Sequence, residues 1–134
     1  MKKTYFILFL LLFFQIPTLS SHVYLEKDYQ KFWCSSHQGQ IEYKLPDSSR
    51  IDCLTSEYAI EFDFASKWAE SVGQSLYYAQ YTHKKPAVVL IMENPNKDLR
   101  YLKRLETLAF AYNIKIWTIT PNDISSILTN VTNK

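Results

Sequence analysis

The sequence lacks the features by which several classes of protein are recognised. Its 134 residues contain no apolar run as long as the ~20 residues needed to cross a bilayer, no internal repeat and no low-complexity segment. The two cysteines fit no zinc-binding spacing, and the three histidines share no spacing that suggests a common metal. The length limits the chain to one domain. A membrane-spanning protein, a repeat protein and a zinc module are therefore not indicated.

A strong net charge is also missing. The 15 basic and 13 acidic residues of the whole chain become 13 of each without Lys2 and Lys3. Any binding of nucleic acid must therefore depend on a local patch and not on overall charge. Basic residues that could hold a nucleic-acid backbone occur in the second half, although such residues on a helix are more often only solvated. They are Lys84, Lys85, Arg100, Lys103 and Arg104.

Residues 1–20 have the layout of a bacterial secretory signal peptide. Lys2 and Lys3 precede an apolar run at residues 5–14, and Pro17 with small residues follows, the cleavage box being residues 18–20. We therefore expect cleavage near Ser21 and an exported protein, periplasmic or secreted, without a permanent membrane span. In an exported protein an even cysteine count predicts a disulfide, here Cys34–Cys53. Two free, buried thiols are the alternative if the segment is not a signal.

Hydrophobic periodicity predicts elements in the order α-β-β-β-α-β-α-β within one domain of residues 21–121. Three strands that meander antiparallel are followed by strands joined through helices, which favours parallel pairing at that end. The expected fold class is α/β (α+β), a mixed central sheet flanked by helices. For the polar tail, residues 122–134, a short helix and disorder are both open.

Acidic residues gather on the predicted second and third strands. If Leu54 faces Ala59 across their turn, the register puts Asp52 opposite Glu61, and the preceding turn puts Glu42 opposite Asp52. Alternation then separates a polar face from an apolar one: Asp52, Glu61, Asp63 and Arg50 (opposite Asp63) on the first, and Ile51, Cys53, Ile60 and Phe62 on the second.

A row of like charges across three strands, Glu42, Asp52 and Glu61, requires a cation. Oxygen ligands select a hard one such as Mg²⁺ or Mn²⁺. The alternative is a solvated face on which basic side chains neutralise the acids in pairs, and the candidates are Lys44, Arg50 and Lys67.

The second predicted helix carries a polar and aromatic stripe at steps of three and four residues. Lys67 begins it, four residues after Asp63 and within reach of the carboxylates. Gln74 and Tyr78, one turn apart, can hydrogen-bond a phosphate or a ligand shell. Ser71 and Tyr81 complete the stripe, and for Tyr81 ordinary packing is the expectation.

These residues together resemble the PD-(D/E)XK nuclease superfamily. The likeness rests on Asp52 in one strand, Glu61 in the next, and the Gln-x-x-x-Tyr of Gln74 and Tyr78, which is similar to the motif of the RecB-like branch. It spans residues 25–120 and implies a restriction-endonuclease-like fold and hydrolysis of nucleic acid with Mg²⁺ or Mn²⁺ held by Asp52 and Glu61. We expect Glu42 or Asp63 to assist as metal ligands.

The sequence departs from that family at one position. The family's lysine, two residues after the second acid, is replaced by Asp63, and Lys67 on the helix is the candidate to orient the attacking water. Gln74 would then support a ligand or the scissile phosphate. An inactive exported domain of the same fold that binds a protein or nucleic acid is the alternative. It predicts ion pairs of Asp63 with Lys67 and with Arg50. A structural domain without a partner is a third reading.

Overall fold

A computed structural model describes the backbone of residues 21–132 and the side chains of residues 21–126. The expected signal peptide, residues 1–20, lies outside the described residues. The elements are α1 (Glu26–Ser36), β1 (Gln40–Lys44), β2 (Arg50–Leu54), β3 (Tyr58–Phe64), a short 3₁₀ turn (Ala65–Lys67), α2 (Trp68–Thr82), β4 (Lys85–Ile91), α3 (Pro95–Tyr112), β5 (Lys115–Ile119) and α4 (Pro121–Thr132).

The five strands form one mixed sheet in the order β1-β2-β3-β4-β5. β1, β2 and β3 pair antiparallel, whereas β3, β4 and β5 run parallel because α2 and α3 carry the chain back between them. The predicted element order and the parallel pairing at one end are confirmed. The mixed α/β class is therefore correct.

Helices cover both faces of the sheet. On one face α1 and the start of α4 pack on Cys53, Ile60, Phe62 and alternate residues of β4. On the other face α2 and α3 pack on Val88, Leu90 and their neighbours. Ala87 to Ile91 of β4 are at most 1% exposed, which fits the continuous apolar run that a strand buried on both faces requires.

Local sequence explains where the central helices begin and end. The Asn94 side chain accepts a hydrogen bond from the Lys97 backbone N–H, and Pro95 opens α3 with a φ angle suited to a first helical position. Both α2 and α3 end at a residue in the left-handed region, His83 and Asn113. These caps set the points at which the chain turns into β4 and β5.

Of the two alternatives for the C-terminal tail, the helix is found. It begins at Pro121, and Ile124 is buried in the core that lies under α1. The folded part therefore extends beyond residue 121. Among residues 21–132, no helix is both long and apolar enough to cross a membrane.

A disulfide joins α1 to β2. Cys34 and Cys53 are bonded, as predicted, and both are fully buried. Gly39, between α1 and β1, lies against the bridge so closely that a Cβ atom there would overlap the sulfur atoms of both cysteines. The absence of a side chain at Gly39 is therefore required for the bridge and for the close packing of α1 on the sheet.

We expect Gly39→Ala to lower the free energy of unfolding of the oxidised protein by about 1–3 kcal/mol, because an added methyl group overpacks a closed site. Urea denaturation followed by circular dichroism measures this. The matched control is Gly73→Ala in α2, where a Cβ meets nothing within 4 Å; it should raise the stability by roughly 0.5–1 kcal/mol. Equal stability of Gly39→Ala and the wild type would contradict the packing described here.

Candidate functional site

The regular pairing of β1 with β2 is interrupted at Glu42 and Asp52. Ile41 pairs with Cys53 and Tyr43 with Ile51, but the pair between them is not formed. Glu42 has a φ of 54°, a left-handed conformation that is uncommon for a residue with a side chain. Among the described residues it is the only non-glycine residue with positive φ inside a strand; the others end helices or lie in turns.

This irregularity moves Ile51 to the other side of the sheet. Cys53 packs in the core under α1, whereas Ile51 packs with Ala59 and Tyr78 under α2. The prediction that Ile51, Cys53, Ile60 and Phe62 share one apolar face is therefore wrong for Ile51. The reason is physical: strict alternation holds only in a regular strand, and a local distortion shifts the side chains beyond it to the opposite face.

Asp52 takes part in the pairing of β2 with β3 through its side chain. Backbone pairing of these strands is confined to Cys53 with Ile60 and Leu54 with Ala59, as the predicted register requires. Beyond them, the Phe62 N–H donates a 2.8 Å hydrogen bond to Asp52 Oδ2. The carboxylate thus occupies the place of a strand carbonyl and is fixed beside the next residue in the row, Glu61.

Glu61 and Asp63 of β3 are both buried, with 3% and 5% of their surfaces exposed. Glu61 Oε1 is the one side-chain oxygen or nitrogen among the described residues that is fully buried and has no hydrogen-bond partner. Such an orphaned acceptor is costly unless something that the protein itself does not supply satisfies it.

Burial and mutual repulsion raise the pKa values of this acidic pair. Burial raises the pKa of Glu61 most, and the neighbouring charge of Asp52 raises it further. Burial also raises the pKa of Asp52, opposed by the hydrogen bond from Phe62. Two carboxylates placed side by side cannot both ionise at low cost, so without a cation they share a proton near neutral pH.

Asp63 extends the acidic cluster towards α2. Burial first, and then the charge of Glu26, raise the pKa of Asp63 to about 7, while Lys67 acts in the opposite direction. Lys67 itself is exposed at the start of α2. Within residues 21–132 it forms no ion pair of 4.0 Å or less with Asp63. Lys67 therefore lies close enough to influence the acids without neutralising them.

Glu26, in the first turn of α1, is a member of the cluster that the sequence did not reveal. Its charge raises the pKa values of Asp52, Glu61 and Asp63, and burial raises its own. Gln30, one turn later and 3% exposed, donates a 3.3 Å hydrogen bond to it. The only feature of the sequence that points to Glu26 is an acid followed one turn later by an amide, Gln30, at the start of a helix. That feature does not identify any partner on the sheet.

Arg50 and Glu42 do not take their predicted places. Arg50 was expected opposite Asp63, but its guanidinium instead forms a 3.1 Å ion pair with Glu42. Both side chains are exposed. The predicted row of Glu42, Asp52 and Glu61 is broken at Glu42, because its left-handed backbone removes it from the strand pairing. Glu42 contributes only its charge, which raises the pKa of Asp52.

The Gln-x-x-x-Tyr motif on α2 is divided between core and solvent. Tyr78 is buried with Leu45, Ile51 and Ala59; burial and the charge of Glu61 raise its pKa, so the hydroxyl lies near the acidic pair. Gln74 is exposed and has no hydrogen-bond partner among the described residues. The motif thus places one group near the acids and leaves the other facing solvent.

The basic residues suggested for contact with a nucleic-acid backbone lie away from the acidic cluster. Lys84 and Lys85 flank the start of β4, where Lys84 binds the Ser56 carbonyl and Lys85 pairs with Glu57 at 2.7 Å. Arg100 and Arg104 lie on α3 beside the Tyr101 ring. Neither group lines the acidic cluster.

The oxygen donors in the cluster fit a metal site that water and other ligands complete, and do not fit a site built from protein side chains alone. Among residues 21–132, no three Asp, Glu, His or Cys side chains are placed to hold a metal ion by themselves. Asp52 and Glu61 offer two adjacent carboxylates and one unpartnered buried oxygen. Mg²⁺ is usually held by one or two carboxylates, with water and substrate phosphate completing its octahedron. The residues therefore fit Mg²⁺ or Mn²⁺ bound together with a substrate.

Comparisons of the chain with protein-family models, with curated proteins and with solved structures found no match. The chemistry of the site is therefore inferred from its own residues. Those are the acids Glu26, Asp52, Glu61 and Asp63, with Lys67 and Tyr78 beside them.

The metal-free protein should lose stability as the pH rises from 5.5 to 8. Carboxyl groups whose pKa is raised in the folded state bind protons more tightly there. The contribution of Asp63 is therefore complete below pH ~4 and disappears through about pH 7, whereas that of Glu61, whose pKa is raised to about 10, continues to fall above pH 7. We expect the melting temperature in EDTA to fall by roughly 4 °C or more, the shift that about 1 kcal/mol produces in a domain of this size.

Glu61→Gln should weaken this dependence and raise the stability at pH 8, because it removes the cost of keeping a buried carboxyl group protonated far above its usual pKa. Glu106→Gln, an exposed change on α3, serves as the control and should behave as the wild type. A melting temperature that is constant or rises across the range would contradict the buried, repelling acids.

Proposed function

We propose that the protein is an exported, metal-dependent nuclease of the PD-(D/E)XK type with a restriction-endonuclease-like fold. The observation that carries this proposal is the pair formed by half-buried Asp52 and buried Glu61, which has an unpartnered oxygen and no basic residue within ion-pair distance among the described residues. A buried pair of this kind costs free energy that a merely structural role does not recover. A divalent cation would recover it.

The arrangement of elements supports the same class. The first helix, three antiparallel strands, a helix and a parallel strand follow one another in the order that the family resemblance implies. Asp52 on β2 and Glu61 on β3 are at the implied positions. Tyr78, on the next helix, packs with Leu45, Ile51 and Ala59, and the charges of Glu61 and Asp52 raise its pKa. The disulfide and the signal-like N-terminus agree with a periplasmic or secreted location.

Each residue of the cluster has a distinct proposed role. Asp52 and Glu61 would hold Mg²⁺ or Mn²⁺, which supplies a water of lowered pKa and neutralises charge on the phosphate. Asp63 and Glu26 add negative charge that favours the cation over the shared proton. Lys67, exposed and not ion-paired to the acids, is available to orient the water or the phosphate oxygen.

Gln74 has a role only in the presence of substrate. It lies on the solvent side of α2, one turn before Tyr78, and would contact the scissile phosphate and not the metal. Tyr78 would position the acidic pair from beneath the sheet.

An inactive binding domain of the same fold is the second candidate, favoured by Asp63 at the position of the family's lysine. That candidate requires the acids to be satisfied within the protein by Arg50 and Lys67. Arg50 pairs with Glu42 instead, and Glu61 retains an unpartnered oxygen. These contacts support the nuclease over the inactive domain.

Hydrolysis of labelled single-stranded DNA, duplex DNA and RNA in Mg²⁺ or Mn²⁺ tests the proposal. We expect cleavage that EDTA abolishes and that Asp52→Asn and Glu61→Gln each reduce by about 100-fold or more. Lys67→Ala should reduce the rate without lowering the stability, since the side chain is exposed. Glu106→Gln is the matched control. Cleavage that survives in both acidic variants, or no cleavage of any substrate, would sink the nuclease proposal.

A further inference from the structure

We propose that the protein forms a twofold-symmetric dimer in which the outer edge of β5 pairs antiparallel with the same edge of a second copy. β5 is the last strand of the sheet and, among the described residues, pairs only with β4. Ile116 and Trp117 are half-buried and Thr118 is exposed, so none of the described helices closes over this edge. The dimer is independent of the nuclease proposed above, because it requires neither a metal nor a substrate.

The backbone groups of β5 point to its two sides in a fixed order. The Ile119 carbonyl accepts a 2.8 Å hydrogen bond from the Met92 N–H, on the β4 side. Successive residues of a strand direct their N–H and C=O groups to opposite sides, so Trp117 also faces β4, whereas Ile116 and Thr118 face outwards. Within residues 21–132, no backbone group pairs with the two N–H and two C=O groups of Ile116 and Thr118.

These outward groups are self-complementary about Trp117. In an antiparallel pair of two β5 strands with the twofold axis at Trp117, Ile116 of one copy faces Thr118 of the other. Each such pair exchanges two hydrogen bonds, so all the outward groups of both copies are satisfied. Trp117 then faces Trp117 of the second copy, a favourable aromatic pair across the strands. Lys115 faces Ile119, which keeps the two lysines apart.

β5 lacks the features that protect the other edge of the sheet. On β1, the left-handed backbone at Glu42 and the exposed ion pair of Glu42 with Arg50 interrupt the edge, and features of this kind prevent strand addition. β5 pairs regularly with β4 over all five of its residues, and Lys115 is its only charged residue. The sheet is therefore open to extension at β5 and not at β1.

Two exposed apolar side chains on α3 lie beside the same edge. Leu99 and Phe110, three turns apart on one flank of the helix, are 45% and 94% exposed, while Leu105 and Ala109 pack on the sheet. β4, α3 and β5 form a parallel unit, and such units cross over with a right hand. In that hand, the flank with Leu99 and Phe110 lies on the side of the β5 edge, away from α2.

The exposed side chains favour a second copy over an extended peptide as the partner. A single added strand would cover the edge of β5 and leave Phe110 in water. A second copy related by the twofold axis brings its own α3 alongside, antiparallel and on the same face of the sheet. The apolar flanks of both helices are then covered together with the strand edges.

Sedimentation equilibrium of the oxidised protein in EDTA, at concentrations from about 1 to about 500 μM, tests the proposal. We expect a monomer–dimer equilibrium. Phe110→Ser should raise the dissociation constant of the dimer about 10-fold or more, because it removes an apolar side chain from the interface. It should leave the monomer folded, since the side chain is exposed. The matched control, Tyr81→Ser, removes an exposed ring from α2 and should dimerise as the wild type does.

Hydrogen exchange identifies the edge that pairs. The amides of Ile116 and Thr118 should exchange about 10-fold or more slowly at ~500 μM than at ~5 μM, whereas the amides of β1 should not change. A monomer at every concentration would overturn the proposal and leave the edge to a peptide of another protein. A dimer that Phe110→Ser does not weaken, or protection that arises at β1 and not at Ile116 and Thr118, would overturn it as well.

Discussion

The structure depends on one electrostatic constraint, the placement of half-buried Asp52 beside buried Glu61 on adjacent strands. Two carboxylates in such contact are stable only if one binds a proton or both share a cation. The rest of the site is arranged around that requirement. Asp52 is held by the Phe62 N–H, Glu61 keeps an oxygen without a partner, and Glu26 and Asp63 add further negative charge. The arrangement adds nothing to the stability of the folded domain, and for that reason we propose a cation there.

Two features of the fold other than the acids themselves hold the acidic cluster in place: the backbone at Glu42 and the disulfide. The left-handed backbone of Glu42 breaks the β1–β2 pairing beside Asp52. The side chain of Asp52 then accepts a hydrogen bond from β3. Strain of this kind costs about 1–3 kcal/mol and collects at functional sites. The disulfide fixes α1, which carries Glu26, to the residue after Asp52, and Gly39 lets the chain pass against it. Helix and strand acids are thereby held in one cluster.

The element order, the parallel end of the sheet, the β2–β3 register and the disulfide could be predicted from the sequence, because they follow from local periodicity, turn position and cysteine count. The face on which Ile51 lies and the ion-pair partner of Arg50 could not be predicted. Both depend on one backbone angle at Glu42, which the residue type does not indicate. Glu26 was missed because its neighbours in space come from other elements. The unsatisfied oxygen of Glu61 is likewise a property of tertiary packing and has no signature in the sequence.

The central claim is that Asp52 and Glu61 exchange a shared proton for a divalent cation. Isothermal titration of Mg²⁺ or Mn²⁺ into the metal-free protein at pH 7, repeated in buffers of different ionisation enthalpy, measures binding and proton release together. The account predicts binding with release of about one proton per cation, with both abolished in Asp52→Asn and Glu61→Gln and both retained in Glu106→Gln. Binding without proton release, binding that both variants retain, or no binding would contradict it.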